Sequence, residues 1–255
     1  MSEVLIYALG YIAVAAFGMV IGSFLNVCIF RIPKGESIIP DSHCMTCGYK
    51  LHWYDLVPVF SYIILGGRCR KCGAKLSLQY PLIEGMNGAL YVIIFLANGF
   101  RLMSAVYCLL TSALIVLSVI DWRTFEIPDR INVFIAVLGV SAAIIDHENW
   151  LSHVIGLFAV SVFLLIIYLV TAGAGIGGGD IKLMAAAGLL LGWQKIFLGF
   201  IIGCIVGSVI HIIRMKVSKA DHVLAMGPYL SAGIFIAMMW GDFIVNMYLR
   251  MCGLA

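Results

Sequence analysis

The chain has 255 residues, of which 63% are hydrophobic and 11% charged, with a formal charge of +3. Soluble domains carry roughly 45–50% apolar and about 25% charged residues, and a folded monomer of this length must still cover itself with solvated side chains. That excludes an aqueous globular domain, and the small charge, with no basic arm or RNA-binding signature, excludes a nucleic-acid binder.

Apolar stretches run over 4–30, 83–100, 102–120, 131–145, 153–171, 183–193, 196–213 and 228–249. The first is too long for a secretory h-region and follows Glu3 instead of a basic segment, so it reads as a retained transmembrane helix. Crossing about 30 Å of hydrocarbon takes about 20 helical residues. The expectation is an all-α polytopic membrane protein with eight spans. The stretch at 183–193 is short enough to be tilted, re-entrant or partial, which would leave seven. Gly18/Gly22 and Gly199/Gly203/Gly207 share helix faces and read as sites of close helix packing.

Basic residues orient the chain. If 31–82 is cytoplasmic and the spans alternate, 13 of the 16 Lys and Arg fall inside, Lys219 among them, and only Arg101, Lys195 and Arg250 fall outside. The amino terminus is then outside. The expected divisions are 1–30, a first transmembrane helix; 31–82, a cytoplasmic zinc module; and 83–255, a transmembrane catalytic domain. Three cytoplasmic segments, 31–82, 121–130 and 172–182, hold the residues with chemistry.

Cys44-Met-Thr-Cys47 and Cys69-Arg-Lys-Cys72 are two CxxC knuckles separated by 21 residues. A two-residue gap lets both thiolates face one ion, and two knuckles close a tetrahedral structural zinc site resembling a zinc ribbon. A redox pair is the competing reading, disfavoured by a reducing cytoplasm. His43 and His52 read as polar loop residues, and Cys28, Cys108, Cys204 and Cys252 as small core residues.

Asp121 and Asp180 each lie where an apolar segment meets a cytoplasmic loop, and Asp180 ends Gly175-Ile-Gly-Gly-Gly-Asp180. Ionisable groups at that depth are costly unless they face a partner or a wet cavity. Gly177, Gly178 and Gly179 suit irregular backbone lining such a cavity and leave room for a peptide. Two facing carboxyls sharing a proton perform aspartic-protease chemistry. A proton- or cation-coupled transporter is the alternative. It is weakened because both carboxylates lie on one face of the membrane and not at the midplane. A membrane-anchored zinc-module scaffold is a third class. HExxH and GxSxG motifs are absent. Asp129 reads as an N-cap or as support for a substrate loop, Glu126 and Arg123 as solvated, and Lys182 either as tuning Asp180 or as anchoring a helix end.

Gly22-Ser-Phe-Leu-Asn-Val27 with Arg31-Ile-Pro33, the paired knuckles, Tyr80-Pro-Leu-Ile-Glu84, Ile120-Asp121 through Pro128-Asp129, Gly177-Gly-Gly-Asp-Ile-Lys182 and Gly227-Pro-Tyr229 occur in one order along nearly the whole chain. With these segments the sequence resembles the type IV prepilin peptidases, or prepilin leader peptidase/N-methyltransferases. The resemblance implies a bacterial inner-membrane enzyme that cuts the basic leader of prepilins or pseudopilins after a glycine, on the cytoplasmic side. Asp121 and Asp180 match the family's catalytic pair. It also implies N-methylation of the new amino terminus with S-adenosylmethionine, linked to the cysteine-containing half. Gly67, Arg68 and Glu84 are the candidates for binding that donor, and the lipid bilayer and a single-span substrate are the expected partners.

Overall fold

The computed structural model describes residues 2–39, 42–218 and 224–253, so Lys219 lies outside the described residues. Among the described residues ten α-helices follow one another: α1 Ser2–Arg31, α2 Phe60–Ile64, α3 Gln79–Asn98, α4 Leu102–Thr124, α5 Asp129–Ile145, α6 Trp150–Ala159, α7 Ser161–Val170, α8 Gly178–Leu191, α9 Trp193–Ser218 and α10 Gly227–Met251. No strand occurs among the described residues, only two isolated bridges, His43 with Lys50 and Arg68 with Lys75. The contacts divide the chain into two compact units, Met1–Ser104 and Ala105–Ala255.

Each of the eight apolar stretches becomes helix, but among the described residues six helical segments are long and apolar enough to cross a membrane: Val4–Arg31, Gln79–Asn98, Leu102–Thr124, His147–Val170, Trp193–Lys216 and Gly227–Met251. The other two fall short in length. At about 1.5 Å per residue, α5 with its 17 residues reaches about 26 Å and α8 with its 14 about 21 Å. The span at His147–Val170 is itself broken at Val160, where the Ser161 hydroxyl bonds back to the Leu157 carbonyl and competes with the helical ladder.

In the first unit α1 packs on α3. Gly18 faces Gly88 and Tyr91, and Gly22 sits against the Glu84 backbone, where an added Cβ would come within 2.7 Å of Cα. That closeness lets polar side chains reach backbone across the seam. Asn87 Nδ2 donates to Gly18 O at 2.7 Å, Asn26 Nδ2 reaches Tyr80 O at 3.4 Å, and Gln79 Nε2 donates to Asn26 Oδ1 at 3.1 Å. Such bonds between apolar helices contribute about 1 kcal/mol each.

In the second unit α9 lies on α10, and α8 lies against α5 and α6. Glycines again set the seams: Gly199 against Gly233, Gly203 against Leu230, Gly156 against Gly188. The α6–α8 contacts, Gly156 with Gly188 and Gly192 with Ser152, run antiparallel.

A Cβ on Gly156 would run into the Gly188 carbonyl, whereas one on Gly178 meets nothing within 4 Å. Gly156→Val should lower stability by about 1–3 kcal/mol through overpacking. Gly178→Ala should leave the thermal unfolding midpoint in detergent unchanged.

Candidate functional site

Asp121 occupies the last turn of α4, which ends because Phe125 turns to φ 55° while its amide still bonds Asp121 O at 2.8 Å. A phenylalanine in the left-handed region is strained, and such strain gathers at functional sites. The buried Asp121 side chain accepts the Gly227 amide on Oδ2 at 2.8 Å. Gly227 opens α10, and an added Cβ would meet that same oxygen at 2.8 Å, so no larger residue allows this approach.

Asp180 sits in the first turn of α8, after the extended Gly177. Its Oδ2 lies 3.1 Å from where a Gly177 Cβ would be, and its buried Oδ1 has no protein hydrogen-bond partner. Asp121, Asp180, Gly177, Gly178, Gly179, Phe125, Glu126 and Ile127 line one cleft of about 200 Å³. A roomier recess of about 380 Å³ lies along Phe243, Asn246, Met247, Arg250 and Met251, and no carboxylate lines it.

The three glycines differ in what they permit. Gly178 is open, while Gly179 packs on Ile127, whose Cβ would be 2.8 Å from an added methyl. Asp129 does not cap its helix, as one reading had it: Pro128 holds the N-cap position and Asp129 is the first helical residue, with no capping bond. Its carboxylate instead accepts Lys182 Nζ at 2.7 Å, so Lys182 pairs with Asp129 and not with Asp180. Glu126 is exposed, as expected, but it also lines the cleft. Sequence reasoning missed Gly227 as the partner of Asp121, and Asn132, whose buried side chain reaches Gly179 O at 3.4 Å. An asparagine one residue into an apolar stretch is the signal that pointed to it.

The second cluster belongs to the first unit. Its two knuckles repeat each other: Cys44 N–H to Tyr49 O at 2.8 Å and Gly48 N–H to Cys44 O at 2.9 Å, then Cys69 N–H to Ala74 O and Gly73 N–H to Cys69 O, both at 2.9 Å. Gly48 and Gly73 take φ 66° and 71° with open space around them, so the backbone conformation alone calls for glycine.

The four Sγ atoms lie within 4.8 Å of one another, with Cys44–Cys72 at 3.9 Å and Cys47–Cys69 at 4.0 Å. Tetrahedral zinc–thiolate bonds of about 2.3 Å imply sulfurs about 3.8 Å apart, so the four residues fit a metal ion. The Cys47 and Thr46 amides draw Cys44 down to about 6. At Cys72 the Ala74 amide pulls downward, but burial and the facing sulfurs prevail and push it up to about 11.

Asp55, its side chain buried, accepts Arg70 Nε at 2.7 Å and the His52 amide at 3.3 Å; burial opposes its charge, yet these partners hold it below the usual carboxylate range. Arg70 also stands over the Tyr54 ring at 5.1 Å, tying the segment between the knuckles to the second one. His43 and His52 are exposed loop residues. Cys28 and Cys108 are buried and Cys204 half-buried, but Cys252 is exposed and is not a core residue.

Of the donor-site candidates, Gly67 is filled by the Tyr62 hydroxyl, 2.8 Å from its would-be Cβ, and Glu84 is turned to the Val59 amide at 2.7 Å. Arg68 is exposed. Gly67 and Glu84 thus make contacts within the first unit.

Comparison with known proteins covers both units. Residues 16–98 match the bacterial peptidase A24 N-terminal domain and residues 108–212 the type IV leader peptidase family. The chain is 30% identical over 268 residues to a prepilin leader peptidase/N-methyltransferase of Pseudomonas aeruginosa, covering 92% of both chains. It is 31% identical over 240 residues to one of Bacillus subtilis, covering 92% of this chain and 96% of that one. With that of Xanthomonas campestris pv. campestris it shares 29% over 277 residues and 96% of both chains. No solved structure matches significantly. Matched in both halves and along nearly its whole length, the chain belongs to the prepilin leader peptidase/N-methyltransferase family of enzymes.

Proposed function

We propose that the protein is an aspartic endopeptidase of the bacterial inner membrane that removes the leader of type IV prepilins or pseudopilins, cutting after a glycine at the cytoplasmic face with Asp121 and Asp180. The observation that carries this reading is that both carboxylates line one cleft with the glycine run. Family membership favours it over a transporter relay. The alternating Lys and Arg distribution supports eight crossings with the catalytic loops inside, α8 being the shortest of them.

In this mechanism the pair holds one proton, because facing carboxyls do not both ionise readily. The ionised member takes a proton from water, and the protonated member gives its own to the carbonyl oxygen of the scissile bond. The Gly227 amide fixes the Asp121 rotamer, and Asp180 keeps an Oδ1 with no protein hydrogen bond. Gly178, with open space around it, lets the substrate backbone approach. A prepilin helix held in the same bilayer presents its leader junction repeatedly to the cleft, which supplies much of the positioning.

The four cysteines would hold zinc structurally, since four protein ligands leave no open coordination position. The family name supports N-methylation of the new amino terminus, with S-adenosylmethionine as methyl donor.

Asp121→Asn and Asp180→Asn should each lower prepilin cleavage by about 10³-fold or more, read by mass spectrometry of the product amino terminus. That spectrum also reports any added methyl group, and undiminished cleavage by either variant would remove that residue from the mechanism. Gly227→Ala displaces Asp121 without removing it and should cost about 10–100-fold in kcat, with zinc content unchanged. Purified protein should carry about one zinc per chain, lost in Cys44→Ser and Cys69→Ser. Metal analysis finding equal zinc in those variants would refute the assignment.

A further inference from the structure

We propose that α2 is embedded in the bilayer at the headgroup–acyl boundary, so that the four-cysteine module is seated on lipid by an apolar face of its own. This rests on the reading of the chain as a membrane protein, and it assigns a lipid contact to a segment in the loop between two spans.

Depth is the first argument. The Val59 amide, immediately before α2, donates to Glu84 Oε2 at 2.7 Å. Glu84 is five residues beyond the start of α3, about 7–8 Å along its axis. The apolar run of α3 begins at residue 83, so Glu84 stands at the edge of its hydrocarbon-spanning part. A loop residue tied to Glu84 is therefore held at or below the level where the span begins. The tie is stiff. Val59 sits at φ 61°, a strained conformation for a β-branched residue.

Chemistry is the second. Phe60, Ile63 and Ile64 follow the i, i+3, i+4 spacing that puts them on one face of α2, and they are 58%, 66% and 79% exposed. At the same depth α3 exposes Leu82, so the patch continues the apolar outer surface of a span. Exposed Trp53 stands just ahead of it, the residue type that gathers at the membrane interface, and Arg70 follows in the second knuckle. Continuity with the outer surface of a span suits acyl chains better than a docked peptide.

The test places a photoreactive diazirine amino acid at Ile64, at the exposed Ile93 of α3, or at Lys71 in the second knuckle. Each full-length variant that elutes as the parent protein does is reconstituted in phosphatidylethanolamine–phosphatidylglycerol vesicles with and without prepilin. Adducts are identified by mass spectrometry. Lipid adducts at Ile64 should come within about threefold of those at Ile93 and exceed those at Lys71 by about tenfold. Lipid adducts at Ile93 but not at Ile64, or Ile64 adducts with prepilin in place of lipid, would overturn the inference alone. Absence of lipid at Ile93 as well would overturn the membrane reading and this inference with it.

Discussion

A chain this apolar can keep a pair of carboxylates only where backbone reaches them, and the contact that matters most is the Gly227 amide on Asp121. It joins the last turn of α4 to the first turn of α10 at a distance no side chain other than hydrogen would allow. Around it the rest of the site follows. Phe125 bends the chain away, Ile127 packs on Gly179, and the Gly177–Gly179 run brings Asp180 to the same cleft. Without a donor at that point Asp121 would be a buried charge in an apolar bundle, which proteins do not sustain.

Glycine plays two distinct parts in this protein. In the seams, Gly22, Gly156, Gly199 and Gly233 are required because another backbone occupies the place of their side chains. In the knuckles, Gly48 and Gly73 have free space and are required by a left-handed φ. The first kind fixes how helices pack and the second how a metal-binding loop closes, so substitutions at the two kinds fail for different reasons.

Helix placement was legible because apolar runs long enough for a bilayer leave little choice of structure. All eight runs became helix, and the two cysteine knuckles came together as their spacing implied. Crossing lengths were less legible. The break at Val160 falls inside a continuous apolar run, and α8 stops at Gly192, a turn that hydropathy does not register. The two aspartates stood out as charges at the edges of apolar runs, but their surroundings did not. Gly227 lies 106 positions from Asp121, and a backbone amide carries no signature in sequence. Asp129 read as a cap because of its place before a helix, yet Pro128 already supplies the extended residue there and leaves its carboxylate to Lys182.

The two cysteine knuckles superpose by a shift of 25 positions, with Cys44, Cys47 and Gly48 recurring as Cys69, Cys72 and Gly73 and the flanking bridges recurring with them. Each half contributes two sulfurs and closes its own hairpin. An ion held by all four would couple the two hairpins, so withdrawing a sulfur from either half would loosen both, while the Asp55–Arg70 pair and the Val59–Glu84 bond would still moor the segment between them.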